Sequence, residues 1–133
     1  MIFQTEVFSM YRLEFKLEGL PKTTNSLAGA KWQVRAAHAK KWKRAVWRTV
    51  WPLKPESPLV KAKITLTRFS SREADFDGLV SSFKHIIDGL TEAGIIIDDK
   101  RSVIDVPVYI WEKTSPKNGH IKVLVEELQK TGI

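Results

Sequence analysis

The sequence predicts an α/β (α+β) fold: a single domain over residues 1–133 with a mixed sheet of about four strands and two main helices, in the order β-α-β-α-β-β. Three observations lead there. Segments whose apolar residues alternate with period two take turns with segments of period 3.6. Clusters of Gly, Pro, Asn and Ser separate them. The chain has 133 residues, the length of one ordinary domain, and shows no repeat, low-complexity stretch or internal linker.

Residues 8–18 (FSMYRLEFKLE) alternate after Met10, with Tyr11, Leu13, Phe15 and Leu17 on one side and Arg12, Glu14, Lys16 and Glu18 on the other, and read as a strand. GLPKTTNSLAG (19–29) reads as a loop in which Asn25 or Ser26 caps the next helix. That helix spans 30–51: Trp32, Ala36, Ala39, Trp42, Val46 and Val50 recur every three or four residues, and Trp47 and Trp51 widen the stripe. Lys31, Arg35, His38, Lys41, Arg44 and Arg48 are expected on the opposite face, and Pro52 and Pro55 stop the helix. Residues 61–69 (KAKITLTRF) alternate as a strand. In 79–94, Leu79, Phe83, Ile86 and Leu90, flanked by Val80 and Ile87, make a second amphipathic helix ended by Gly94. Residues 103–113 form a strand that Pro107 assigns to an edge or a bulge. Asn118-Gly119 then predicts a hairpin whose return strand is 121–128.

Composition narrows the chemistry. With 43% hydrophobic and 28% charged residues the chain is neither collagenous nor wholly disordered. The absence of cysteine excludes disulfides, thiolate nucleophiles, zinc fingers and iron–sulfur clusters. No apolar run reaches the ~18 residues of a membrane span, and the N-terminus lacks a basic stretch before an apolar core, so a soluble, unexported, cytoplasmic protein is expected. No phosphate-binding loop, Gly-x-Gly-x-x-Gly or nucleophile elbow occurs, so no nucleotide cofactor is expected. His38, His85 and His120 have no ligand or triad spacing.

The net charge is +7, and no acidic residue interrupts the nine Lys and Arg between Glu18 and Glu56, which exceed the whole net charge. One segment therefore carries the positive excess. It suits a polyanion, whose condensed counterions each bound Lys or Arg releases; a solvated helix face that keeps the protein soluble is the plainer reading.

The carboxylates concentrate between Glu73 and Asp99. If 75–77 is extended, Asp75 and Asp77 point to one side. Asp98 and Asp99 follow the next helix, and the two pairs meet only if 95–99 doubles back along it. Oxygen-only clusters of this kind suit Mg²⁺ or Mn²⁺, while helix caps and turns use Asp for local reasons. Lys84, two turns beyond Asp77 and four residues before Asp88, is open to an i,i+4 ion pair or to a place beside a phosphate.

Over ADFDGLVSSFKHIIDGLTEAGIIIDD the sequence resembles the RusA-type endonucleases, Holliday-junction resolvases typical of prophages. The matching residues are Asp75-Phe76-Asp77, Lys84, Asp88-Gly89-Leu90, Ala93-Gly94 and Asp98-Asp99. The element order extends the resemblance across most of the chain. The resemblance implies a bacterial or phage-encoded homodimer that binds a four-way DNA junction and nicks two opposed strands with Mg²⁺ or Mn²⁺. It implies Asp75, Asp77 and Asp99 as metal-binding catalytic carboxylates, Lys84 as the catalytic-site lysine, and Asp88 as an orienting residue. Lys31, Arg35, Lys41, Arg44 and Arg48 would hold the DNA backbone without reading sequence. Two departures stand out. Gly78 replaces a frequent Asn, and three additional residues separate Asp77 from Lys84 relative to the shortest form of the motif, an offset that puts Ser81 in the lysine position if the gap lies elsewhere. A non-catalytic DNA-binding protein of this fold, a partner-binding protein whose basic helix docks an acidic protein, and a nuclease preferring other branched DNA are the alternatives.

Overall fold

Leu13, Phe15 and Leu17 alternate with charged residues, and the alternation builds strand β1 (Arg12–Glu18) with those three side chains buried. The computed structural model describes residues 10–128; residues 8 and 9 of the expected first strand, and the first nine residues used to judge export, lie outside it. Strands β2 (Ala62–Ser70), β3 (Val108–Lys113) and β4 (His120–Glu127) complete a four-stranded mixed sheet in the order β1-β4-β2-β3. β4 runs antiparallel to both β1 and β2, while β2 and β3 are parallel. The fold class is as expected from the sequence, and β3 occupies an edge, as Pro107 predicts.

The expected hairpin does not form. β4 pairs with β1 and β2, and β2 lies between β3 and β4. Crossing two strand spacings, roughly 10 Å, is beyond a two-residue turn. Pro116–Asn118 instead make a 3₁₀ turn, and Gly119 has φ of −59°, outside the left-handed region a type I′ turn requires. The connection passes over the end of β2, held by the Thr114 N–H donating to the Ser70 carbonyl (3.0 Å) and by the His120 ring stacked on Phe69.

Helices cover one face of the sheet. A short helix α1 (Thr24–Leu27) interrupts the predicted loop, capped by Thr23 rather than by Asn25 or Ser26. The long helix α2 (Trp32–Val50) buries Trp42, Val46 and Val50 as its stripe predicts. Trp32, Trp47 and Trp51 do not join them: they are 67%, 44% and 45% exposed. The predicted 79–94 helix begins earlier and is split into α3 (Phe76–Ser82) and α4 (Lys84–Glu92), with Phe83 at φ −98°, ψ 2° between them. The Ser81 and Ser82 hydroxyls donate to the Gly78 and Leu79 carbonyls, the local side-chain bonding that bends helices. The apolar stripe survives the joint, and Leu79, Phe83, Ile86, Ile87 and Leu90 are all buried.

α2 and α4 approach closely because position 89 is glycine. A Cβ there would lie 3.0 Å from the Val46 Cβ and 3.3 Å from the Lys43 Cα. Beyond α4, Ile95–Ile97 run beside Leu59 in an isolated parallel bridge, and a one-turn helix α5 (Arg101–Ile104) replaces the first residues of the strand expected from 103.

Candidate functional site

The loop after β2 delivers Asp75 to the start of α3. It is not extended with Asp77, as the period-two reading requires. Asp75 caps the helix, its Oδ1 accepting from the Gly78 N–H at 2.7 Å, and Asp77 sits within the first turn. A Cβ on residue 78 would stand 2.8 Å from that Oδ1 and 3.4 Å from the Thr23 methyl carbon, so glycine at this position lets the cap close. The cap fixes where Asp77 points: Asp77 lines a cavity with Thr24, Asn25, Gly78 and Ser81.

Removing the cap by Asp75→Ala should cost about 1 kcal/mol of stability, whereas Asp75→Asn keeps an acceptor oxygen and should cost only a few tenths. Urea midpoints of the two variants read this directly; equal losses would mean the cap bond contributes nothing.

Ser81 joins the elements around it. Its hydroxyl oxygen accepts from the Thr24 N–H (3.1 Å), tying α1 to α3. The loop before α1 is held in turn by the Arg68 guanidinium, which donates to the Pro21 carbonyl at 2.6 Å and is half-buried. Ser81 also lines a second cavity, of about 340 Å³, with Val80, Lys84, Asp88, Asp99 and Tyr109. The segment after α4 therefore does double back, bringing Asp99 to the side of Lys84. Asp98 points elsewhere: it accepts from the Asp99 N–H at 2.7 Å and lies 3.7 Å from Lys100. Those contacts, the backbone bond foremost, hold its carboxyl below the usual range.

Lys84 is 3.9 Å from Asp88, the i,i+4 pair, and its side chain is largely exposed. The joint at Phe83 breaks the two-turn relation to Asp77, and the two residues line separate cavities that meet at Ser81. Both Lys84 and the alternative Ser81 thus stand in the same trough.

A third cavity adjoins the first two. Lys22, Arg35 and Lys84 converge on it from the loop, α2 and α4, together with Thr24, Ser81, His38 and His85, and no carboxylate lines it. Three cations around about 380 Å³ make a cradle for an anion. The sequence pattern placed Arg35 and His38 on the outer face of α2; Arg35 is exposed as expected, its guanidinium donating to the Ala30 carbonyl, whereas His38 turns toward α4. The Lys22 N–H donates to His38 Nε2 at 3.0 Å, and the His85 ring stands edge-on to His38 at 5.7 Å. Burial, then the neighbouring His85 and lysines, lowers the His38 pKa; burial lowers that of His85 as well, against the pull of Asp88. Sequence spacing gave no signal for Lys22, His38 or His85, because a loop and two helices bring them together.

Of the remaining basic residues, Lys31 is the N-cap of α2 and exposed, and Lys41, Arg44 and Arg48 are exposed along it.

Among the described residues no three His, Asp or Glu side chains gather closely enough to hold one ion. The carboxylates therefore do not form a three-ligand cage. Mg²⁺ is also held by a single carboxylate with water and substrate phosphate oxygens completing the shell, and Asp77 and Asp99, which take part in none of the ion pairs among the described residues, each line a cavity that Ser81 also lines. Among the described residues, no helix is long and apolar enough to cross a membrane. Neither protein-family models nor curated proteins give a match to this chain.

Proposed function

We propose that the chain is a structure-selective DNA endonuclease of the RusA type, which resolves four-way junctions by paired phosphodiester hydrolysis and works with Mg²⁺ or Mn²⁺. The observation that carries this reading is the trough itself: Asp77, Asp99 and Lys84 border cavities joined at Ser81, beside an anion cradle of Lys22, Arg35 and Lys84. Carboxylates beside cations on an open surface are the groups a nuclease needs, one set for a cation and one for phosphate.

Asp77 or Asp99 would hold the divalent ion, with water and phosphate oxygens completing its shell, while Asp75, whose Oδ1 accepts from the Gly78 N–H, keeps only its Oδ2 for such a role. When bound there, such an ion would lower the pKa of a water toward neutral and offset the charge of the phosphoryl oxygens. Lys84 neutralises developing charge on the scissile phosphate. Lys22 and Arg35 hold a neighbouring phosphate and so set the strand's position, and Lys31, Lys41, Arg44 and Arg48 carry the duplex arms through their backbones. A junction with two-fold symmetry presents two strands to cut, so the proposal includes a homodimer with one trough per strand.

A second reading, a DNA-binding protein of this fold that does not cut, is favoured by the absence of three converging carboxylates among the described residues. Labelled four-way junction and matched duplex, incubated with Mg²⁺ and with a chelator, separate the two. Paired symmetric nicks confined to the junction and lost with the chelator are expected; tight binding without nicks would move the assignment to the non-cutting protein.

Backbone binding has its own test. Replacing Lys41 and Arg44 together with Ala should weaken junction binding roughly tenfold and lower the slope of log K against log salt by about two, one per lost phosphate contact. Unchanged affinity and slope, measured by anisotropy across a salt series, would return these residues to a solubility role.

A further inference from the structure

The outer end of α2 carries a feature the trough does not use. Trp47, placed in the core by its spacing, is 44% exposed, stacked on Trp51 with ring centroids 4.8 Å apart and planes 28° from parallel. Lys54 Nζ lies 3.7 Å from the Trp51 ring, fixing the outer partner of the stack. Trp47 also forms a wall of a groove of about 540 Å³ between α2 and α4. Its small residues Ala36 and Ala39 leave room for a flat group, Gly89 closes it where the two helices touch, and Lys40, Lys43 and Arg44 border it. Glu92, its one carboxylate, is paired with Lys43 at 2.9 Å, so Lys40 and Arg44 give the groove its sign.

We infer that this groove is a docking site for an unpaired nucleobase of single-stranded DNA, with Trp47 as the stacking surface and Lys40 and Arg44 on the flanking phosphates. An aromatic wall, a floor of small side chains and cationic rims match a base and its backbone together, and the sequence-independent stacking suits strands opened at a branch point. The groove is continuous with the rest of the interface. Ala36 lines both it and the anion cradle of Lys22, Arg35 and Lys84. The path from Ala36 to Trp47 is about 17 Å along the helix at the usual rise per residue, so a strand leaving the cradle reaches the groove within a few nucleotides. An apolar face of protein would find the same tryptophan but would have to cover Lys40 and Arg44; charge complementarity selects the nucleic acid.

The inference rests on the nucleic-acid part of the proposed function and not on cleavage, so its test is run in chelator. Affinities are measured for an oligothymidylate of about 15 nucleotides, the upper range of single-strand site sizes, and for an abasic phosphodiester strand of the same length. Wild-type protein should bind the thymidylate about 5- to 150-fold more tightly than the abasic strand, the factor that stacking of one base supplies. That gap should close in Trp47→Leu, which keeps apolar bulk without a π face, and persist in Trp47→Phe, which keeps the face; circular dichroism checks that both are folded. Equal wild-type affinity for the two strands, or a gap untouched in Trp47→Leu, overturns the docking site while leaving backbone binding intact. Binding to neither strand overturns the docking site and the nucleic-acid reading together.

Discussion

Asp77→Asn should abolish junction nicking, by on the order of 10²–10⁴-fold in rate, while junction affinity stays the same or rises. Asn preserves the side chain's shape but removes the charge that would hold the divalent ion, and losing a negative charge beside phosphate relieves repulsion. The structural cost is small. Asp77 is exposed in the first turn of α3 and takes part in none of the described ion pairs, so only its favourable interaction with the helix N-terminus is lost, about 0.3–1 kcal/mol. Asp99→Asn should behave alike. Its carboxylate reaches the trough by a different route, after α4, and a matching loss in both variants would show that two separate segments serve one reaction. The readout is nicked product from labelled junction at saturating protein with Mg²⁺, alongside binding in chelator. If either variant still cuts at the wild-type rate, that residue is not part of the reacting centre.

Phe83→Ala should be the most damaging single change to stability, about 3–5 kcal/mol. Phe83 is fully buried, its ring 6.2 Å from Tyr109 of the edge strand, and it occupies the joint between α3 and α4. Truncation leaves a cavity under the joint, where the Phe83 N–H donates to the Val80 carbonyl and its carbonyl accepts from the Ile87 N–H, so the backbone is held and little can collapse to fill it. Phe83→Leu keeps most of the volume and should lose less than half as much. Urea denaturation measures both, and the alanine variant should also lose nicking activity under conditions where it remains folded, because the joint sets Asp77 relative to Lys84. A loss below about 1 kcal/mol would contradict the anchoring role.

How much of this was legible in the sequence depended on the range over which each signal acts. Period-two alternation placed Leu13, Phe15 and Leu17 inward, as observed, because a strand with one covered face writes that face into every second residue. The stripe on α2 was legible at Trp42, Val46 and Val50 and misleading at Trp32, Trp47 and Trp51: periodicity says which way a side chain faces, not whether the neighbouring element is long enough to cover it. The hairpin reading failed because Asn118-Gly119 is a local preference, while the place of β4 is set by Ile121, Val123 and Val125, which need strands on both sides to be fully buried. In the trough, the motif brought out Asp75, Asp77, Lys84 and Asp99, and the local preference of helix starts for Asp already allowed the cap that Asp75 makes; it did not bring out that Lys22, Arg35 and Lys84 line one cavity. That relation depends on how the α1 loop and α2 pack against α3 and α4, and no spacing along the chain encodes it.

The strand order has a consequence for how this chain comes into being. β4 contains nearly the last of the described residues, yet among them it is the only partner of β1 and one of the two partners of β2. During synthesis β1 emerges before the other described strands and must wait for more than a hundred residues before its hydrogen-bonding edge finds a match at His120–Glu126. Contacts so distant along the chain close slowly. Until they do, the alternating apolar face of β1 and one side of β2 are open to pairing with other nascent chains. The charged residues that flank each apolar position of β1, Arg12, Glu14, Lys16 and Glu18, are well placed to discourage such encounters during that interval.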